Sequence, residues 1–554
     1  MGCGHLTVPR AWVAFFAPDI RFLAMDLARN ERPGPSKCLV AIVWVLVLGY
    51  VVCFALQTRD YFIDDAYIGF QYVRNLLAGH GFVFQPGDAP VEGVTNIGWL
   101  LLLTPLAAIT EPTTAAKALG FVLVIAALAL TFLLGRHLAA RFQRREGFSS
   151  LVLVPLVLLA SSFDFLYFTL AGMETGLLAV VLLVMAWIAV RRPGSLWLPV
   201  LGAIAFLIHP EAIVTYPLYS LLLRPPQVNR RRAWSGNLLL AVLVGALTAI
   251  RWGYFHDVVP NTFHSKPSHP FQILVNGYQF IIGANANFSF PITGWLAVPI
   301  FGFGYYRLRR AAPAAAGMLG AIAATGLAFC VYSPPDWTGM GRYLAPYLPA
   351  VLLLFWVGLV EVVHRLFARV PQPLARPLAV AMVVVLLVAT GLLDRAAKMA
   401  RMETFPGYVL AGKNLVGPSL WIRDHLPDDA TIATRRIGAL AYYGGRSIFD
   451  YAFGLPDREV ARLVAEVGGR FQSPGTPALA PLWQARAPDY LLEDADMMEL
   501  IISQAGGTQD RFSIHGLDYG VMRHFQVGKG SRWVLACRIE SPSQLPRTIA
   551  ARQS

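Results

Sequence analysis

What most constrains this chain is an alternation, over residues 38–393, of long uncharged apolar runs with short connections rich in arginine. Cys38 to Leu56 carries no charge, and at about 1.5 Å per residue a helix there crosses roughly 30 Å of hydrocarbon. So many such runs exceed what one globular core buries. The hydrophobic fraction is 56% and the charged fraction 14%, well away from an ordinary soluble domain. The predicted class is an α-helical polytopic membrane protein.

The net charge of +13 would suit nucleic acid if it formed one patch, but it does not. It is spread over Arg136/Arg141/Arg144/Arg145, Arg191/Arg192, Arg224/Arg230/Arg231/Arg232, Arg307/Arg309/Arg310 and Arg365/Arg369/Arg376, each between two apolar runs. Cytoplasmic placement of every cluster gives one consistent topology. The excess charge is an orientation signal, and no nucleic-acid partner is expected. The topology has about eleven transmembrane helices, at 38–57, 113–135, 149–162, 176–190, 196–208, 212–223, 234–252, 291–306, 313–331, 346–364 and 377–393. The opposite loops then carry Asp64, Asp65, Glu92, Glu174, Glu211, Asp257 and Asp336, with Lys266 and Arg342; Glu146 and Glu361 are exceptions. Residues 98–109 read as a juxtamembrane helix, because another span there would invert every later assignment. The runs 149–162, 196–208 and 212–223 reach only about 20 Å as helices. Loops that dip beside a cavity would explain them. His209-Pro210-Glu211 lies between two such runs, either facing that cavity or forming a turn in which His209 and Glu211 pair.

Three segments follow. Residues 1–37 form a basic cytoplasmic leader, with the first span read as an uncleaved anchor. Residues 38–393 form the membrane domain, with an outer loop at 58–96. Residues 394–554 have soluble composition and read as an α/β or α+β domain on the outer side, with strand-like Ala430-Thr434, Ser447-Tyr451, Tyr490-Leu492 and Arg532 to Ile539, and a helix-like Glu459-Val467. The five cysteines offer no disulfide framework. No CxxC, HExxH or phosphate-loop pattern is present.

Within the outer loop, Asp64-Asp65 stands out, because paired carboxylates beside lipid are costly and point to chemistry. One of the two is expected to cap a helix starting near Ala66. Tyr67, Tyr72 and Trp99 either stack on sugar or sit in an interfacial aromatic belt, the belt being the safer reading.

Several motifs carry a family resemblance. Asp64-Asp65-Ala66-Tyr67-Ile68, Arg74-Asn75, Gly79-His80-Gly81-Phe82-Val83-Phe84 and Val91-Glu92-Gly93-Val94-Thr95-Asn96 with Trp99 resemble the first outer loop of bacterial GT-C glycosyltransferases. Within that superfamily they are most similar to terminal arabinofuranosyltransferases of the cell-wall and pilin types. In order come Gly172-Met173-Glu174-Thr175, His209-Pro210-Glu211, Val259-Pro260-Asn261-Thr262-Phe263 with Lys266, Gly341-Arg342-Tyr343-Leu344-Ala345-Pro346, Ile437 to Tyr443, and Ala487-Pro488-Asp489-Tyr490-Leu491. The likeness covers about residues 38–500; His209 stands where related sequences often have arginine.

That resemblance implies sugar transfer from a polyprenyl-phosphate donor, at the outer face of a bacterial plasma membrane, to a glycan, glycolipid or protein acceptor. Arabinofuranose is the leading sugar; mannose is an alternative. Asp64 is the first candidate for general base and Asp65 the second. Arg342, Lys266 and His209 are candidates for the donor phosphate. Arg74, Glu92, Asn96, Glu174, Glu211, Asn261 and Asp336 are candidates for substrate binding, although Glu92 and Asn261 could equally organise loops and Glu174 pin a helix. No cofactor is implied beyond the donor; a divalent cation would have only Asp64/Asp65 as visible ligands. Competing classes are a transporter or flippase of a lipid-linked glycan and a catalytically dead glycan-binding scaffold.

Overall fold

The computed structural model describes residues 37–142, 149–265, 273–275, 294–333, 341–366, 411–468, 471, 473–508, 511–527 and 531–539. The leader, Lys266, Asp336 and the expected span 377–393 lie outside the described residues.

The first half is helical. Helix α1 (Lys37–Gln57) leads into α2 (Asp64–Leu77), α3 (Ile97–Ala107) and α4 (Pro112–Phe142). Next come α5 (Val154–Ser161), α6 (Phe163–Leu170), α7 (Thr175–Arg191), α8 (Trp197–Ile208), α9 (Arg230–Phe255) and α10 (Asn261–Ser265). Helices α11 (Gly294–Ala311), α12 (Pro313–Tyr332) and α13 (Leu348–Leu366) complete this half. Among the described residues, five helices are long and apolar enough to span a bilayer: α1, α4, α9, α12 and α13. A sixth arises if the segment through α5 and α6 counts as one bent span.

Among the described residues, the expected count of eleven spans is therefore not confirmed. The run read as 149–162 continues to Leu170 after a bend of 53°. Ser162 turns extended there (φ −69°, ψ 111°) and restarts the helix, its side chain accepting the N–H of Phe165. α7 and α8 have 17 and 12 residues. Residues 212–223 form no regular helix but a mixture of 3-10, α and π turns, since Pro210 and Pro217 withhold N–H donors from a regular ladder. Helix α3, with 11 residues, is too short to span, in keeping with a juxtamembrane helix.

Side-chain size sets the packing. A Cβ on Gly304 of α11 would lie 2.0 Å from the carbonyl of Leu354, and one on Gly358 of α13 would lie 2.0 Å from that of Ile300. The two helices thus meet backbone to backbone, as small residues permit. On α9, by contrast, Leu238, Val242 and Ile250 stay exposed, a face suited to lipid.

The C-terminal part begins with α14 (Ala411–His425) and contains a six-stranded sheet of order β2-β1-β3-β6-β5-β4. Its strands are β1 (Thr431–Thr434), β2 (Ser447–Asp450), β3 (Tyr490–Asp494), β4 (Arg511–Ile514), β5 (Leu517–Val527) and β6 (Ser531–Arg538). β2, β1 and β3 run parallel, and β3, β6, β5 and β4 antiparallel. Helix α15 (Gly438–Gly444) follows β1; α16 (Arg458–Glu466), α17 (Ala480–Arg486) and α18 (Ala495–Gln504) complete the unit. Alternation along the strands divides the sheet between two cores. Ile432, Ile448, Leu492 and Leu535 join the core of the membrane helices, while Ala433, Phe449, Leu491 and Ala536 pack in a second core with Val460, Trp483 and Met498. The mixed α/β reading holds, and the unit is fused to the helical half by apolar packing.

Candidate active site

Helix α2 is the hub. Its entry is fixed by the N–H of Ile63 donating to the Ala171 carbonyl (3.4 Å) and the Trp99 indole donating to that of Gly172 (3.1 Å). Gly172 adopts φ +88°, and a Cβ there would sit 2.8 Å from Cζ of Phe70, so only glycine suits this turn.

Successive residues on a helix point about 100° apart, and this separates the two acids. Asp64 is buried, at 4% exposure. Its Oδ2 accepts the N–H of Gly438 (3.1 Å) and its Oδ1 that of Ala439 (2.9 Å). Burial raises the Asp64 carboxyl above its ordinary range, against the pull of these N–H groups and of the Arg436 charge. The expectation that one aspartate caps the helix starting near Ala66 is not met: α2 starts from Ile63 without a side-chain cap, and Asp64 instead caps α15 of the C-terminal unit.

Arg74, near the other end of α2, holds the far end of α15. Its guanidinium donates to the carbonyls of Tyr442 (2.7 Å) and Ala441 (3.4 Å) and lies over the Tyr442 ring, 4.6 Å from its centroid. An acid at the N–H end of a helix and an arginine at its carbonyl end both complement the backbone dipoles. Arg74, expected on substrate, thus spends these donors on the C-terminal unit. The aromatic belt is also corrected. Tyr67, Tyr72 and Trp99 are all buried, Tyr67 against Tyr442 and Tyr443 and Tyr72 stacked on Phe82.

Asp65 faces elsewhere. Its Oδ2 accepts Nη1 of Arg342 at 2.7 Å, the side chains being 32% and 16% exposed. Arg342 lies on the turn before the 3-10 segment Ala345–Tyr347, which leads into α13. The preceding N–H, of Gly341, donates to Oδ2 of Asp164 at 3.2 Å. Asp164 sits buried in the first turn of α6, and the bend at Ser162 brings it there. The sequence reading passed over it, although a single acid in the run 151–170 was the available signal.

The remaining candidates form two groups. In the first, Asn96 donates to Oε2 of Glu174 (2.6 Å), whose Oε1 lies 3.7 Å from Nε2 of His209. His209 Nδ1 meets Glu211, and Glu211 accepts the Tyr347 hydroxyl (2.8 Å). Both ring nitrogens of His209 thus face carboxylates. The expected His209–Glu211 pairing is present, while a donor phosphate would have to displace a glutamate. In the second group, Glu92 pairs with Arg251 (2.6 Å), both buried. Burial pushes the Glu92 carboxyl up to about 7 although Arg251 pulls it down. The Glu92 carbonyl accepts the N–H of Asn261 (2.8 Å), and the Asn261 amide donates to the carbonyls of Gly454 (2.6 Å) and Leu455 (3.0 Å). Glu92 and Asn261 therefore tie loops together. The Gln85 side chain does likewise, accepting the N–H of Ile448 (2.6 Å) and donating to its carbonyl (3.2 Å) on edge strand β2.

Asp64 and Asp65 do not converge on a cation position, one being spent on backbone N–H groups and the other on a guanidinium. Among the described residues, no group of three or more His, Cys, Asp or Glu side chains could hold a metal ion.

Two comparisons bear on this arrangement. Residues 409–538 match a family described as a domain of unknown function (DUF8728). The chain is also similar to a terminal beta-(1->2)-arabinofuranosyltransferase of Mycobacterium tuberculosis, 29% identical over 252 residues. That match covers 40% of this chain and 38% of the relative.

Proposed function

We propose that this protein is a membrane glycosyltransferase of GT-C type, which moves a sugar, with arabinofuranose foremost, from a polyprenyl-phosphate donor to a glycan, glycolipid or protein acceptor. The observation that carries this reading is the Asp65–Arg342 pair. It joins a partly exposed carboxylate and a guanidinium at 2.7 Å, on the loops opposite the arginine-bearing connections. By the positive-inside rule this end faces outward. The similarity to an arabinofuranosyltransferase supports the choice of reaction and sugar.

In this mechanism the donor phosphate takes up Arg342, whose planar fork suits two phosphate oxygens, and frees Asp65. The acceptor hydroxyl gives its proton to Asp65 as its oxygen bonds to the anomeric carbon. The bond from that carbon to the phosphate oxygen breaks, and polyprenyl phosphate leaves with the electron pair, its charge met by Arg342. A single base on the acceptor side suits inversion. Asp164 positions Arg342 through the Gly341 N–H. Asp64, the first candidate for base on sequence grounds, serves in this proposal to seat the C-terminal unit, because both its oxygens already accept backbone N–H groups.

The test offers purified protein a panel of polyprenyl-phosphate sugars and reads products by mass. Asp65→Asn should cost roughly 10²–10⁴-fold in transfer with folding intact; full activity in that variant refutes the proposal. One observation favours a second reading. The bend at Ser162 and the largely buried Glu174–His209–Glu211 chain are features that a lipid-glycan transporter, with its broken helices and internal charges, would also have. Translocation in proteoliposomes without covalent transfer would decide for it.

A further inference from the structure

At the opposite end of the helical half, the connection before α8 and the first turn of α9 border an open cleft of about 420 Å³. Its lining includes Arg192, Gly194, Ser195, Trp197 and Arg232. We propose that this cleft binds the phosphate headgroup of an anionic diacyl phospholipid, with the acyl chains lying along the exposed faces of α8 and α9.

The charge is in place. Arg232 is held by its Nε, which donates to the Gly194 carbonyl at 2.7 Å, and this leaves its terminal nitrogens for a ligand. Its own N–H is capped by Asn229 (2.8 Å), and Tyr219 pins the other wall by donating to the Pro193 carbonyl (2.8 Å). The fork is therefore fixed by the fold. Among the described residues, no carboxylate pairs with Arg192, Arg230, Arg231 or Arg232. Guanidinium groups so placed match phosphate oxygens in geometry and charge.

The depth is also right. On α9, Trp234 and Trp252 are both exposed, 18 residues or about 27 Å apart, close to the roughly 30 Å of a bilayer core. Aromatic side chains mark the two headgroup levels, and Arg232 lies just outside one of them. Deeper in the leaflet, Leu238 and Val242 of α9 and Ile204 of α8 are exposed. The two helices meet at Gly202, where a Cβ would touch Leu240 at 3.4 Å. A free phosphate would use only the arginines, whereas a phospholipid uses the arginines and the exposed apolar side chains below them.

The full chain is reconstituted in nanodiscs of phosphatidylcholine with or without phosphatidylglycerol, and lipid retention is read by native mass spectrometry alongside the melting temperature. Phosphatidylglycerol should be retained preferentially and raise the melting temperature. Arg192→Gln with Arg232→Gln should weaken retention roughly tenfold or more, from the worth of a basic group near an anionic surface. Arg230→Gln with Arg231→Gln removes the same charge outside the cleft and should change it little. Should the first pair fail to fold, Arg192→Gln alone carries the test with a smaller loss. Equal loss in both pairs means a diffuse positive surface, and equal retention of the two lipids means no charge selection. Competition by inorganic phosphate means a free-anion site, and preference for polyprenyl monophosphate means a different lipid. Each of these overturns the proposal, and none touches the assignment of Asp65.

Discussion

Replacing Asp64 by alanine separates a seating role from a chemical one. The carboxylate accepts two backbone N–H groups at 3.1 and 2.9 Å inside a contact where it is 4% exposed. Hydrogen bonds to a charged group are worth about 1.5–3 kcal/mol each, and every buried donor left orphaned costs about 1–3 kcal/mol. Loss of a helix cap taken as a whole costs about 0.5–2 kcal/mol. These figures overlap because they describe the same two contacts, and about 3 kcal/mol is a fair central value. At 1.36 kcal/mol per decade that weakens the seating of α15 on α2 roughly 150-fold. Limited proteolysis of the full chain in nanodiscs reads this as faster cleavage of the C-terminal unit, and thermal melting reads it as an earlier transition. Asp65→Ala removes a partly exposed ion pair worth about 0–1 kcal/mol and should leave both readouts close to the parent protein. The reasoning fails if Asp64→Ala melts like the parent. It also fails if Asp64→Asn stays folded yet loses transfer while Asp65→Asn keeps it, since the two acids would then have exchanged roles.

Three further outcomes are expected. Gly438→Ala places a Cβ 2.0 Å from the Asp64 carbonyl oxygen and should destabilise the same contact by about 1–3 kcal/mol, visible in the same melt. Glu92, with an ordinary value of 4.5 raised to about 7 in the fold, keeps a proton that the unfolded chain releases. Its stabilising contribution is complete below about pH 4.5 and lost as pH rises through 7, about 3 kcal/mol in all; Glu92→Gln should flatten that part of a stability-against-pH profile. Asp164→Ala should slacken Arg342 and lower transfer about 10- to 100-fold in a folded protein, chiefly through kcat, with Asp164→Asn restoring much of it because the amide oxygen still accepts the Gly341 N–H.

Much of this architecture is legible in the chain. α1, α4, α9, α12 and α13 coincide with long apolar runs, because hydrocarbon demands about 20 predominantly apolar residues in succession. β1, β2, β3 and β6 fall on the patches read as strands, while the hairpin of β4 and β5 was not read, its exposed faces breaking the apolar pattern. The span read as 149–162 stops short of Leu170, and only packing shows that α6 continues beyond the bend at Ser162. Among the site residues, pairing between His209 and Glu211 was legible from their spacing of two. The ion pair of Asp65 with Arg342, 277 residues apart, and the hold of Asp164 on Gly341 were not.

Order, polarity and composition thus determined, by themselves, that the chain is apolar helices followed by a mixed sheet, and that most acids of the helical half fall on connections other than those of the arginine clusters. Hydrophobic periodicity and charge placement are local properties, readable one segment at a time. What each functional group touches was decided by tertiary structure alone. Asp64 and Asp65 are neighbours of one residue type, yet the turn of α2 aims one at the N–H end of α15 and the other at Arg342. Burial and partner, which only the packed chain supplies, made one acid a fastening and left the other at the surface of the site.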